Sequence, residues 1–181
     1  MTLSVLLSDF YNRYKIPKDG GENDDTFKFK VFGKVFNLPN PNFRKKALYI
    51  HDLHHILNKC DISWKGEAFI AGWEISTGIW KHFPLGFLSS WAMGYSIWIY
   101  PKSVLKGFKK GLNNIGVIDL NIDKSDFMKM EFEELERLTT KNSIKEMYVL
   151  EWFTFLFWII ISQMIFLFPL IFVVTFIMLI S

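Results

Sequence analysis

The feature that most constrains this chain is its C-terminal run from Trp152 to Ser181, which contains no Asp, Glu, Lys, Arg or His. A helix of about 20 apolar residues crosses a bilayer core. The run is longer than that, yet too short for two spans joined by a polar turn. It predicts one tilted transmembrane helix starting near Tyr148, with Pro169 as the place for a kink. Trp152 and Trp158 lie toward its start, where indole rings favour the membrane interface. Basic residues abound before the run and are absent after it, so positive-inside reasoning puts the preceding domain on the cytoplasmic side.

Charge says less by amount than by place. The 181 residues carry 21 Lys and Arg against 18 Asp and Glu, a net charge of +3. That imbalance alone names no partner. Lys102, Lys106, Lys109, Lys110, Lys124 and Lys129 suit anionic lipid head groups beside an anchor, a solvated surface being the plainer reading. No nucleic-acid fingerprint accompanies them, so nucleic acid is not an expected partner. The single cysteine, Cys60, excludes an intramolecular disulfide and a multi-cysteine zinc site, and agrees with a reducing cytosol. Leu3 to Leu7 is apolar, but Asp9 follows and no cleavage pattern closes it, so a signal peptide is not expected.

Three parts follow: an N-terminal segment 1–24, a domain 25–147 and an anchor 148–181. The first contains an amphipathic stretch, Leu3 to Tyr14, and the polar run Lys18 to Asp25. From Thr26 to Leu38, Phe27, Phe29 and Val31 alternate with Lys28 and Lys30, and Gly33 breaks the run, predicting a small β-hairpin. Leu38-Pro39-Asn40-Pro41 is a stiff connector. Asn42 is the expected N-cap of a helix to Asn58, and a second helix is expected from Gly66 to Trp80. Residues 83–101 are apolar but carry Pro84, Gly86, Gly94 and Pro101; they read as a buried or interfacial helix, with a second span as the alternative. Gly111 to Asp123 reads as loop, and a short helix begins at Ser125. The fold class expected is mainly α.

The chemistry concentrates in Leu48 to Leu57. Helix residues four apart project about 40° from one another around the axis, so His51 and His55 point their imidazoles at one place. Asp52 lies about 60° further round from His55, close enough to join them or to orient a ring. Glu67 returns on the next helix, and Gly66 before it leaves room for two helices to approach. Two imidazoles and one or two carboxylates bind a divalent cation with a position left open. Other patterns with these letters fail. A zinc protease needs Glu directly after the first His, where this chain has Asp52. A membrane desaturase needs several histidine boxes, and only His82 remains outside this one. A His-Asp phosphohydrolase needs a His upstream of His51, and there is none.

The spacing His51-Asp52-x-x-His55, eleven residues, Glu67 resembles the motif of the coenzyme Q (ubiquinone) biosynthesis protein 4 family. Leu38-Pro39-Asn40-Pro41-Asn42-Phe43-Arg44, Gly66-Glu67-Ala68 and Ala71-Gly72-Trp73-Glu74 look similar to bacterial members. Tyr100 to Gly111 and Met130 to Leu135 look like its later region, so the likeness runs over roughly residues 35–140. It implies a helical, membrane-associated protein handling polyprenylated quinone precursors, with homodimers known. The activity it implies is oxidative decarboxylation, replacing a ring carboxylate with a hydroxyl; organisation of the biosynthetic enzymes without catalysis is the other role. It implies a divalent metal on His51, Asp52, His55 and Glu67, commonly zinc, with iron or another divalent ion as alternatives. The charge-free C-terminal run departs from the peripheral family pattern, while suiting a substrate that lives in the bilayer.

Around the cluster, Glu74 lies seven residues after Glu67 on nearly the same face, as a supporting group or a surface carboxylate. His54 is read as pointing away from the pair, and His82 as capping a helix end. Trp73, Trp80, Trp91 and Trp98 are read as core or interface residues. Lys106 to Gly111 is read as a solvated turn.

Overall fold

The computed structural model describes residues 1–31, 33–141 and 146–180. Residues 32, 142–145 and 181, at the expected hairpin turn, in the connector before the anchor and at its last position, lie outside the described residues, as do the side chains of 29–31 and 170–180. The fold is mainly α, with one N-terminal hairpin and a C-terminal apolar helix.

Helix α1 (Leu3–Tyr14) buries Leu3, Leu7, Phe10 and Tyr11 and ends with Lys15 in the left-handed region. Strands β1 (Thr26–Val31) and β2 (Lys34–Pro39) pair antiparallel, with Val31 opposite Lys34 across a turn in which Gly33 has a φ of 75°. Helix α2 (Asn42–Asn58) starts one residue earlier than expected: Pro41 holds the cap position with extended backbone, and Asn42 is already helical. Pro fixes φ and needs no N–H at a helix start, so the preceding connector does the work assigned to an Asn cap.

Helix α3 (Trp64–Thr77) also begins earlier, because the Ser63 hydroxyl accepts the Gly66 N–H and ends the loop two residues ahead of the expected start. Gly66 does leave room, but for its own preceding turn: a Cβ there would collide with the Asp61 carbonyl, not with a second helix. Close helix approach occurs further along. A Cβ on Gly72 would strike the Val104 carbonyl, and one on Gly107 the Phe69 carbonyl, which seats α3 directly on helix α5.

The single helix expected over 83–101 is present, shorter by two residues at each end. Helix α4 (Leu85–Ile99) stops at Tyr100, and Pro101 opens α5 (Pro101–Gly111). Proline disfavours helical geometry in the residue before it, hence the break. At 15 residues α4 is too short to cross a bilayer core of about 30 Å. Lys106 to Gly111, read as a solvated turn, is instead the second half of α5, an amphipathic helix burying Val104 and Phe108. Short helices α6 (Lys124–Lys129) and α7 (Phe132–Thr139) follow a 3₁₀ turn at Val117–Leu120. Helix α8 (Val149–Ile180) contains Pro169, and its Val149–Pro169 portion is long and apolar enough to span a membrane.

Two apolar clusters meet at α3. One joins α1, α2, α6 and α7 through Leu3, Leu53, Leu57, Phe127 and Leu135. The N-terminal segment thus supplies part of this core. The other joins α3, α4, α5 and α8 through Ile75, Met93, Val104, Phe108 and Phe155. Because α3 packs on both sides, its polar residues are enclosed, and that enclosure builds the site.

Candidate metal centre

Helices α2 and α3 face each other across a group of three histidines and two glutamates. Two donor sets exist within it among the described residues: His51, His55 and Glu67, and His51, His54 and Glu74. Distances separate their roles. His51 Nε2 lies 3.3 Å from His55 Nε2 and 3.4 Å from Glu67 Oε2, and His55 Nε2 lies 3.4 Å from Glu67 Oε1. Donors held about 2.0–2.1 Å from a tetrahedral ion stand about 3.3–3.4 Å apart. The first set therefore has the spacing of one face of a coordination tetrahedron.

The second set is closer. Glu74 Oε1 lies 3.1 Å from His51 Nδ1 and 2.7 Å from His54 Nδ1. These are hydrogen-bond lengths, shorter than the edge between two ligands of one ion. The His51 Nδ1–H and His54 Nδ1–H donate to Glu74, which leaves the His51 Nε2 lone pair facing Glu67 and His55. This carboxylate–histidine arrangement fixes the tautomer and ring orientation of a ligand histidine. The Ser89 hydroxyl, from α4, donates to Glu74 Oε2 at 2.5 Å. Glu74, on α3, is thus held from two further helices, α2 and α4, and is buried.

Charge is strongly coupled here. Burial opposes the charged His51 ring, but hydrogen bonds to Glu67 and Glu74 overcome it and raise its pKa well above the ordinary value. Burial likewise opposes the Glu67 carboxylate, yet His51 and His55 hold its pKa down at about 2. Glu74 is depressed further by His51 and His54, against its burial. For His54 burial prevails over Glu74, and the pKa falls. Two carboxylates among three imidazoles balance a cation, whether a proton on His51 or a metal ion that displaces it.

The structure brings His51, His55 and Glu67 together and puts Asp52 elsewhere. The Asp52 carboxylate accepts the Tyr11 hydroxyl at 3.0 Å and belongs to neither donor set. Burial raises its pKa despite His51 and that hydrogen bond. It ties α1 to α2 behind the donor triangle. His54, read as pointing away, is buried and paired with Glu74; its ring packs tilted against Trp73 at a centroid distance of 4.7 Å. The signal for it is in the sequence: position 54 lies about 60° from position 51, while Asp52 lies about 100° from it. His82 ends the 3₁₀ turn Ile79–Lys81 as its C-cap, as expected, and its Nε2 also meets Asp119 Oδ1 at 2.7 Å, joining that turn to Val117–Leu120.

The group lies in the wall of a cleft of about 860 Å³. His51, Glu67 and Glu74 line one side, and the hairpin residues Phe27 and Leu38 another. Toward α4 the lining is Leu85, Phe87, Leu88 and Trp91. Arg44, two helical turns before His51, also lines it. Its guanidinium sits 3.8 Å from the Phe27 ring centroid, and its Nη1 donates to Asn40 Oδ1 at 2.9 Å. Burial lowers its pKa, though Asp52 and Glu67 favour its charge. The cleft thus combines a candidate metal face, a cation and a long apolar wall. Set against protein-family models, curated proteins and solved structures, the chain has no match in any of the three.

Proposed function

We propose that the protein is a membrane-anchored, divalent-metal protein of quinone biosynthesis that takes a polyprenylated aromatic acid in its cleft. The observation that carries this reading is the equilateral donor triangle of His51, His55 and Glu67 at the wall of a mainly apolar cleft. His51 Nε2, His55 Nε2 and the Glu67 carboxylate are the proposed ligands, and Glu74 orients His51. A bound divalent ion supplies Lewis acidity to a substrate oxygen at its open positions. Arg44 binds the substrate's anionic group, and the wall from Leu85 to Trp91 takes the prenyl tail.

The resemblance assigns oxidative decarboxylation, which consumes an oxidant, here dioxygen. Two histidines and one carboxylate serve both catalytic zinc and the ferrous ion of oxygenases. Zinc changes no oxidation state, so an oxidative step favours iron, and zinc favours a binding or hydrolytic role. The folded domain is proposed to face the cytoplasm, since the basic residues lie on its side of α8.

The test is rescue of quinone synthesis in cells lacking their own enzyme, read as product and as precursor that accumulates. Wild type is expected to rescue, and His51→Ala and Glu67→Ala to fail while remaining folded and in the membrane. Full rescue by both variants defeats catalysis by this site. A second reading, a lipid-binding scaffold whose metal ties α2 to α3, is favoured by the enclosure of Glu74 between three helices. It expects rescue without metal, a lowered melting temperature, and co-purification with biosynthetic enzymes.

A further inference from the structure

Helices α4 and α8 bury small polar side chains beside apolar ones such as Met93 and Phe155, and turn large apolar side chains outward. Ser89 and Ser90 of α4 and Ser162 of α8 are buried. Ser89 donates to Glu74, Ser90 to the Gly86 carbonyl at 2.7 Å, and Ser162 to the Trp158 carbonyl at 2.7 Å. Between the helices, Gln163 Nε2 donates to the Gly94 carbonyl and the Trp98 indole donates to Gln163 Oε1, both at 2.8 Å. The helices touch at Gly94, where a Cβ would collide with the Ser162 carbonyl. Small residues at the crossing and polar side chains turned inward are how helices associate in lipid.

The outward faces are apolar. Phe83 is 85% exposed and Trp98 69%, with Phe87 and Leu88 exposed between them and Ile99 exposed just beyond. Phe153, Phe157, Ile160, Met164 and Phe168 are exposed on α8. Large apolar side chains exposed in this number mark an interaction site. We propose that the outer face of α4 is embedded in one leaflet of the bilayer beside α8, so that the metal-lined cleft opens directly onto the acyl chains. The proposal rests on reading α8 as a span.

Three observations favour lipid over a second copy of the chain as the occupant. The α4 face packs beside the Val149–Pro169 span, so it lies at membrane depth. Exposed Trp80 and Trp98 flank it, in the place of interfacial indoles. Exposed Lys81, Lys102, Lys106 and Lys109 border it on the sequence either side, matching anionic head groups. Phe87 and Leu88 belong both to this face and to the cleft lining. An amphiphile therefore reaches His51 and Glu67 sideways from the leaflet, without passing through water.

The test uses the full chain with Cys60→Ser in vesicles of phosphatidylcholine and phosphatidylglycerol. A fluorophore is placed singly by Phe87→Cys, Ile99→Cys, Phe168→Cys or Glu134→Cys, and is quenched by acyl-chain-brominated lipid or by aqueous iodide. Labels at 87 and 99 are expected to be quenched several-fold more by the lipid, like the label at 168, and the label at 134 by iodide. Iodide quenching at 87 and 99 with lipid quenching at 168 overturns the proposal and leaves the span standing. Iodide quenching at all four positions overturns both. Shielding of 87 and 99 from both quenchers, with cross-linking between copies, also overturns it in favour of a dimer interface.

Discussion

The two halves of this molecule both bury apolar side chains but differ in what they expose. Where α1, α2, α6 and α7 meet, Leu3, Leu53, Phe127 and Leu135 are inside and charged side chains outside. Where α4 meets α8, Gly94 touches Ser162 beside buried Met93 and Phe155, and Phe87, Trp98 and Phe168 are outside. The first half turns charge outward, as water demands, and the second turns apolar rings outward, as the proposed lipid contact demands. Helix α3 stands between them, and the His–Glu group lies on that boundary. The difference explains the placing of the site on the function proposed: the polar His–Glu group needs the enclosed side, and a prenylated substrate would need the apolar side.

The largest expected effect bears on the boundary itself. His51→Ala removes the only side chain common to both donor sets and is expected to abolish stoichiometric metal binding, as metal analysis of purified protein would read. On the water side, Leu53 has no exposure, and Leu53→Ala is expected to cost about 2–5 kcal/mol of stability. Denaturant unfolding in detergent measures that loss. Glu74→Gln keeps the shape but weakens the orienting hydrogen bonds, and is expected to lower metal affinity about 10–100-fold.

A pH dependence follows from Glu67. In chelated protein its carboxyl is held from 4.5 down to about 2. A depressed acid contributes stability above its ordinary value, which is lost as pH falls toward the folded one. Melting temperature of chelated wild type is therefore expected to drop between pH 4.5 and about 2, and Glu67→Gln to flatten that slope. His51 has the opposite sign: its raised pKa stabilises the metal-free fold below its ordinary value of 6.5 and the contribution fades as pH rises through the folded value. The smallest effect is on the apolar side. Trp98→Phe is expected to change stability in detergent by about 1 kcal/mol at most, the worth of one hydrogen bond. An effect on the scale of Leu53→Ala would break the contrast between the halves.

Much of this was legible in the sequence. The charge-free run marks α8, the alternation around Lys28 marks the hairpin, and the His51–His55 spacing with Glu67 gives the donor triangle. What stayed hidden depended on partners from distant segments. Asp52 is adjacent to His51 in sequence, but Tyr11 from α1 takes its carboxylate. His54 reads as an outward residue only until α3 covers it with Glu74 and Trp73. Helix starts moved because Pro41 and Ser63 set the backbone before the expected caps. The apolar outward face of α4 was concealed by composition, since serines and glycines inside look the same in sequence as serines and glycines in a loop.

The most direct test of the account is a metal titration of chelated protein, comparing wild type with His54→Ala, His55→Ala and Glu67→Ala by calorimetry. One divalent ion per wild-type chain is expected, with binding lost in His55→Ala and Glu67→Ala and retained, though weakened, in His54→Ala. Undiminished binding by His55→Ala and Glu67→Ala, with loss in His54→Ala, would contradict the assignment of the metal to the His51–His55–Glu67 face.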